Sequence, residues 1–154
     1  MNLLYLDTSA LIKKYIQETG SGWLSELLLT EPQPSIYTSH LTVVEASCAF
    51  ARRRREGTIS QELHLKYLAI LQYDSEHHYK LMDVTPEIIK TASELANRHP
   101  LRAYDAIHLA TGLLLNENLK NMDKTHIQFI SSDKRLLDMA QAEGLQVDDP
   151  NLHP

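Results

Sequence analysis

Short apolar runs alternate with longer helical patterns along this chain, and that alternation constrains its fold more than any other feature. Runs with the length of strands are predicted at residues 3–6, 35–38, 81–84, 127–130 and 146–147. Helical spacing of apolar residues predicts helices at residues 9–16, 22–29, 41–55, 59–73, 85–99, 103–115 and 134–143. Because parallel strands need crossover connections, usually helices, this order predicts an α/β fold with a mainly parallel central sheet.

Local signals fix where some of these helices begin, and bulk properties narrow the class of protein. Ser9 and Thr85 are predicted N-caps, the latter followed by Pro86 at the first helical position. A chain of 154 residues with 43% hydrophobic residues suits one domain, residues 1–154. One cysteine, no signal-peptide pattern and no apolar run of membrane-spanning length predict a cytoplasmic protein without a membrane partner.

Four carboxylates occupy positions of one kind, directly after a predicted strand or in the first turns of a helix: Asp7, Glu45, Asp105 and Asp133. Each acid alone also fits a structural role, because Asp caps helices and acids in the first turn complement the helix dipole. Glu45 and Asp105 fit that role less well, since their neighbours are mostly apolar. In a parallel sheet, at least three of the four are expected at the edge where ligands bind.

Carboxylates gathered at one edge repel each other, and some would be forced to take up protons. Mg²⁺ or Mn²⁺ relieves that repulsion, because both ions prefer oxygen ligands. A bound ion also activates water and stabilises charge at phosphorus. The acids therefore predict a metal site suited to phosphodiester hydrolysis.

Four segments carry a resemblance to a known family: "LDTSALIKKY", "SHLTVVEASCAFARRR", "LRAYDAIHLATGLLL" and "FISSDKRLLDMAQAEGL". In this order and spacing the chain resembles PIN-domain ribonucleases, and within them the VapC-like toxins of toxin–antitoxin pairs. The resemblance covers residues 2 to about 149. It implies a three-layer α/β/α sandwich, Mg²⁺ or Mn²⁺ as cofactor and endonucleolytic cleavage of RNA. It also implies a homodimer that is inhibited by a small cognate antitoxin.

The resemblance assigns roles to individual residues. It implies that Asp7, Glu45, Asp105 and Asp133 are the catalytic metal ligands. It also makes Ser9 the hydroxyl partner that orients Asp7 or a water molecule.

Several basic residues are candidates for RNA binding. Arg52 lies seven residues after Glu45, on the same helix face and about 10 Å further along. Arg52 and Arg53 are predicted to bind RNA or an antitoxin, with Arg54 and Arg55 as weaker candidates. Arg102 is predicted to pair with an acid or a phosphate.

His108 shares the helix face of Asp105. A hydrogen-bonded structural histidine is the favoured interpretation there, with a metal ligand or proton shuttle as the alternative.

Other functions remain open at this point. Nothing in the acids distinguishes RNA from DNA, so a DNA-directed metal nuclease is an alternative, as is a non-catalytic PIN-like regulatory protein. An aspartyl-phosphate phosphatase normally has a second Asp two residues after the nucleophile, where this chain has Ser9. A nucleotide-binding protein is disfavoured because the sequence has no glycine-rich phosphate loop.

Overall fold

The computed structural model describes residues 2–122 and 126–154. These residues form five strands, seven α-helices and two short 3₁₀ segments. In chain order they are β1 (Leu3–Leu6), α1 (Thr8–Leu11), a 3₁₀ segment (Ile12–Lys14), α2 (Ser21–Leu28), β2 (Ser35–Ser39), α3 (His40–Arg55), α4 (Gln61–His77), β3 (Tyr79–Met82), α5 (Pro86–Arg98), α6 (Ala103–Asn121), β4 (Gln128–Ile130), α7 (Lys134–Ala142), β5 (Gln146–Asp148) and a second 3₁₀ segment (Pro150–Leu152).

The strands form one sheet in the order β3-β2-β1-β4-β5, and every neighbouring pair is parallel. β1 lies in the middle, where Leu4 is opposite Ile36 of β2 and Gln128 of β4. All four residues of β1 are buried, as expected for a strand covered on both faces. The predicted parallel α/β fold is confirmed.

Alternation along β1 divides the core into two layers. Leu3 and Tyr5 pack with α5, α6 and α7 on one face of the sheet, whereas Leu4 and Leu6 pack with α1 to α4 on the other. Gly112 brings α6 close to the sheet, since a Cβ there would lie 2.8 Å from the Phe129 ring. The result is the predicted three-layer sandwich.

The order of the strands reverses beside β1. The chain goes from β1 to β2 on one side, while β4 pairs with the other side of β1. Crossovers that leave in opposite directions open a crevice at the carboxyl ends of the strands, where α/β proteins bind ligands. Asp7 follows β1 and the segment 131–133 follows β4, so both reach this crevice.

The first helix differs from its prediction. Asp7 is the N-cap of α1, because its side chain accepts a hydrogen bond from the Ala10 N–H at 3.0 Å. Ser9 lies inside this helix, so the prediction that Ser9 is the cap was wrong. The α-helix also ends at Leu11 and continues only as a 3₁₀ segment, which is shorter than the predicted 9–16.

Other boundaries also shift. β3 begins two residues earlier than predicted because Tyr79 pairs with Ile36 of β2. α4 and α6 extend beyond their predicted ends at residues 73 and 115. Residues past those ends, such as Asp74 and Leu119, are buried on the inner faces of the two helices. In the described ranges, no helix has both the length and the apolar character to cross a bilayer.

Candidate active site

A cavity of about 570 Å³ opens at the carboxyl-terminal edge of the sheet. The four predicted carboxylates line it from four separate segments: Asp7 after β1, Glu45 on α3, Asp105 in the first turn of α6 and Asp133 at the N-cap of α7. Asp7 is the most deeply buried, with 4% of its surface exposed. The side chains of the other three are between 24% and 31% exposed.

Asp7 is held by hydroxyl and backbone donors. Ser9 donates to its Oδ1 at 2.7 Å, and Ser131 donates to its Oδ2 at 2.7 Å. Burial raises the pKa of Asp7, and the opposing effects of His108 and these hydrogen bonds do not cancel that rise. Negative charge at Asp7 is therefore costly in the protein alone, and a cation beside it would lower that cost.

Ser131 is a functional candidate that the sequence interpretation did not include. It is fully buried at the end of β4, between Asp7 and the Asp133 N–H, which donates to its Oγ at 3.0 Å. Ser9 also accepts a hydrogen bond from the Ser132 N–H at 2.8 Å. These bonds join the β1 and β4 ends of the cavity. The only signal in the sequence was a pair of serines directly before an aspartate at a strand end.

Glu45 is oriented by a chain of buried groups. His108 donates from Nε2 to Glu45 Oε1 at 2.7 Å, and Thr8 donates to the same oxygen at 2.8 Å. The other ring nitrogen of His108, Nδ1, lies 2.9 Å from the Tyr5 hydroxyl, so both ring nitrogens have a hydrogen-bond partner. Burial raises the pKa of Glu45, but the bonds from His108 and Thr8 outweigh it and lower the pKa overall. Glu45 is therefore held as a charged carboxylate.

Arg102 bridges the remaining two acids. Its Nε donates to Asp105 Oδ2 at 3.3 Å, and its Nη2 lies 3.8 Å from Asp133 Oδ2. Asp133 also caps α7 through the Arg135 N–H at 2.9 Å. The Arg102 side chain is 84% exposed, so it reaches over the two acids from the solvent side. Of the two partners predicted for Arg102, the structure shows an acid.

The arginine run on α3 separates into two groups. Arg52 and Arg55 line the cavity, three residues apart on the face that carries Glu45. Arg53 points elsewhere and pairs with Glu18 at 3.1 Å, outside the cavity lining. Arg55, a weaker candidate from the sequence, therefore lines the cavity and Arg53 does not, while the binding of RNA or an antitoxin by either stays a prediction.

Comparison with known proteins fits this architecture. A family model for the PIN domain matches residues 4–142. The chain belongs to the PIN-domain family. Over its full length it is 29% identical to ribonuclease VapC49 of Mycobacterium tuberculosis, which it also covers completely.

Two solved PIN-domain relatives share the fold at lower identity. VapC20 of Mycobacterium tuberculosis, described as a toxin that cleaves the sarcin–ricin loop, superposes with a TM-score of 0.63 at 18% identity, over 92% of this chain and 95% of that one. A toxin–antitoxin complex from Klebsiella pneumoniae gives a TM-score of 0.56 at 17% identity, over 96% of this chain and 97% of that one.

The chemistry of this PIN-domain site fits a hard divalent cation, because four carboxylates supply only oxygen ligands. Within residues 2–122 and 126–154, no three His, Cys, Asp or Glu side chains are close enough together to hold an ion as they stand. Each acid instead has an internal partner, and that of Asp105 is the exposed Arg102. Binding an ion therefore requires side-chain movement, for which the exposed Arg102 is the least constrained partner.

Proposed function

We propose that this PIN-domain chain is a metal-dependent endoribonuclease and that residues 1–154 act as one nuclease domain. The observation that carries this proposal is the convergence of four carboxylates on one cavity at the point where the strand order reverses. The ribonuclease named in the full-length comparison and the RNA-cleaving toxin among the solved relatives support RNA as the substrate.

In this proposal Asp7, Glu45, Asp105 and Asp133 hold Mg²⁺, or Mn²⁺ in its place. When bound, the ion activates water and neutralises charge at the phosphate. The other groups have supporting roles in the protein itself. Ser9 orients Asp7, as does Ser131, while His108 and Thr8 orient Glu45.

The basic residues would position the substrate. Arg102 would exchange its contacts with Asp105 and Asp133 for a phosphate oxygen, because the ion then satisfies the acids. Arg52 would bind the RNA backbone at the α3 side of the cavity. Arg53, predicted from the sequence to bind RNA or an antitoxin, is paired with Glu18 and has no place in this arrangement.

The proposal extends to biological context. We infer that the chain is the toxin of a toxin–antitoxin pair, forms a homodimer and is inhibited by a small cognate protein. Support comes from its full-length similarity to VapC49 and from the toxin–antitoxin complex among the solved structures of the same fold.

The decisive experiment incubates the purified chain, freed of any partner, with a panel of structured RNAs in Mg²⁺ or in excess chelator. We expect cleavage in Mg²⁺ alone, and loss of cleavage in Asp7→Asn. Asparagine keeps the carbonyl oxygen that caps α1, so this variant should remain folded. Asp138→Asn, which changes an exposed acid on α7 outside the cavity, is the matched control and should cleave like the wild type.

Two results would overturn the proposal. Full activity in excess chelator would contradict the requirement for a metal. Cleavage of DNA but not RNA would contradict RNA as the substrate. A protein that cleaves neither and gains no thermal stability from Mg²⁺ would instead support the non-catalytic alternative.

A further inference from the structure

An apolar rim lies beside the acids in the cavity. Eleven large apolar side chains are exposed in the described residues, and two of them, Val44 and Tyr104, line this cavity. Val44 is 60% exposed on α3, and Tyr104 is 57% exposed in the first turn of α6. Tyr104 directly precedes Asp105, and both side chains line the cavity, so an exposed aromatic ring shares the cavity with a candidate metal ligand.

Positive charge lies on the far side of Glu45 along the same helix face. Val44, Glu45, Arg52 and Arg55 follow one another on the cavity side of α3. At 1.5 Å per residue, the two arginines lie about 10 and 15 Å beyond Glu45. Among the described residues, neither arginine has a salt-bridge partner, unlike Arg53. The cavity lining therefore combines exposed apolar side chains, the four acids and two arginines without an acidic partner.

This combination of groups suits one nucleotide of a single strand. Proteins bind unpaired bases by stacking them on aromatic side chains, and they bind the flanking phosphates with arginine. We propose that Tyr104 and Val44 form a subsite for one unpaired nucleobase beside the scissile phosphate, with the following phosphates directed toward Arg52 and Arg55. This subsite rests on the proposed function, because it assigns the residues that would hold the base beside the cut.

An antitoxin segment is the competing occupant of the same rim. Arg52 and Arg55, which have no salt-bridge partner among the described residues, line the cavity with these apolar residues, and their charge complements a polyanion. An apolar protein segment would leave that charge uncompensated. The charge distribution therefore favours the nucleotide.

The test measures base stacking directly in the Asp7→Asn background, so that bound RNA stays intact. A short unpaired RNA carrying 2-aminopurine is titrated with protein in Mg²⁺, since stacking quenches the fluorescence of this base. We expect quenching by the parent, and Tyr104→Ala should abolish it and weaken binding about tenfold. Tyr104→Trp should restore both. Tyr73→Ala is the matched control, because Tyr73 is 55% exposed on α4 outside the cavity.

Each outcome bears on the subsite separately from the nuclease activity. Quenching that persists in Tyr104→Ala, or that falls equally in Tyr73→Ala, overturns the subsite even if the wild type cleaves RNA. Tyr104-dependent quenching supports it even if no RNA is cleaved. If Tyr104→Ala leaves quenching, RNA affinity and cleavage unchanged but weakens binding of a co-expressed antitoxin, the rim is a protein-binding surface and the proposal fails.

Discussion

The Asp7 carboxylate both caps a helix and lines the candidate metal site, two roles that the sequence presents as alternatives. Its Oδ1 accepts the Ala10 N–H and so caps α1, while its position at the end of β1 puts it on the cavity floor. Asp133 combines the same functions at α7. The helix cap fixes the carboxylate in place, and a fixed carboxylate is what a metal site needs. The two interpretations are therefore compatible.

His108 shows what sequence spacing does not reveal. Its position three residues after Asp105 suggested a shared face, yet its partners are Glu45 and Tyr5, which are distant in the chain. The favoured interpretation, a hydrogen-bonded histidine in an apolar helix, agrees with these contacts. That the histidine orients a candidate catalytic acid is a tertiary feature, and no local pattern encodes it.

The Tyr5–His108 contact gives a prediction at this scale. His108→Ala leaves the buried Tyr5 hydroxyl without this partner, so we expect it to cost more stability than Tyr5→Phe, which removes the hydroxyl itself. The double variant should be less destabilised than the sum of the two, with a coupling of about 1 kcal/mol. Urea unfolding of the wild type, the two single variants and the double variant measures this coupling free energy. Strict additivity would mean that the hydrogen bond is not formed in solution.

At the scale of elements, α3 carries the cavity chemistry along one face. Because Arg52 lines the cavity and Arg53 pairs with Glu18, the two neighbours should behave differently. We expect Arg52→Ala to weaken RNA binding and to reduce the slope of log K against log salt by about 1. Arg53→Ala should leave both unchanged, and salt titration of RNA binding in the Asp7→Asn background measures it. Equal effects of the two variants would contradict the assignment.

A second polar group ties α4 to the neighbouring elements. Asp74, whose side chain is 4% exposed, accepts hydrogen bonds from Lys14 and Tyr15 at 2.7 Å, and His78 lies 2.8 Å away. The Tyr79 hydroxyl of β3 lies 2.6 Å from that of Tyr15. Burial raises the pKa of Asp74, but the bonds from these partners outweigh it and lower the pKa overall. Asp74 therefore stabilises the fold while it is charged.

This pKa shift predicts a pH dependence with a definite sign. A carboxyl with a depressed pKa stabilises the fold above its unfolded pKa of about 3.9, and the contribution is lost as pH falls through the lower folded pKa. We expect Asp74→Asn to cost roughly 3 kcal/mol at pH 7 and progressively less below about pH 4. Denaturant unfolding across pH measures this difference.

Asp138→Asn serves as the control for Asp74→Asn, because its pair with Lys134 is exposed and should contribute little at any pH. A cost of Asp74→Asn that does not change between pH 7 and pH 3 would contradict the prediction. In that case the loss would come from packing and not from charge.

Elements whose bounds follow from their own sequence were predictable, and those whose bounds depend on contacts with other elements were not. β1 was predicted correctly because a buried parallel strand is a continuous apolar run. β3 was misplaced because its pairing with β2, and not its own composition, sets its start at Tyr79. Within the site, the acids were visible from the sequence, whereas Ser131 and Arg55 depend on which loops and helix faces meet in three dimensions.

For the whole molecule, the cost of gathering four acids predicts a response to metal. If the proposed site binds Mg²⁺, the native state should gain about 1.4 kcal/mol at ten times the dissociation constant. For a chain of this size that gain raises the midpoint of thermal unfolding by about 4 °C. Asp7→Asn should lose most of the shift, and Asp138→Asn should keep it. A shift of equal size in all three proteins would place the bound ion outside this cavity.

The distance along the chain between Asp7 and Asp133 has a consequence for synthesis. A ribosome delivers the first acid almost at once, but the last one only after β1, β2 and most of the helices have been translated. Half-made chains therefore lack a complete set of acids. On the proposed function, a cell making this nuclease is not exposed to its activity during translation, and an inhibitor has until release of the finished polypeptide to arrive.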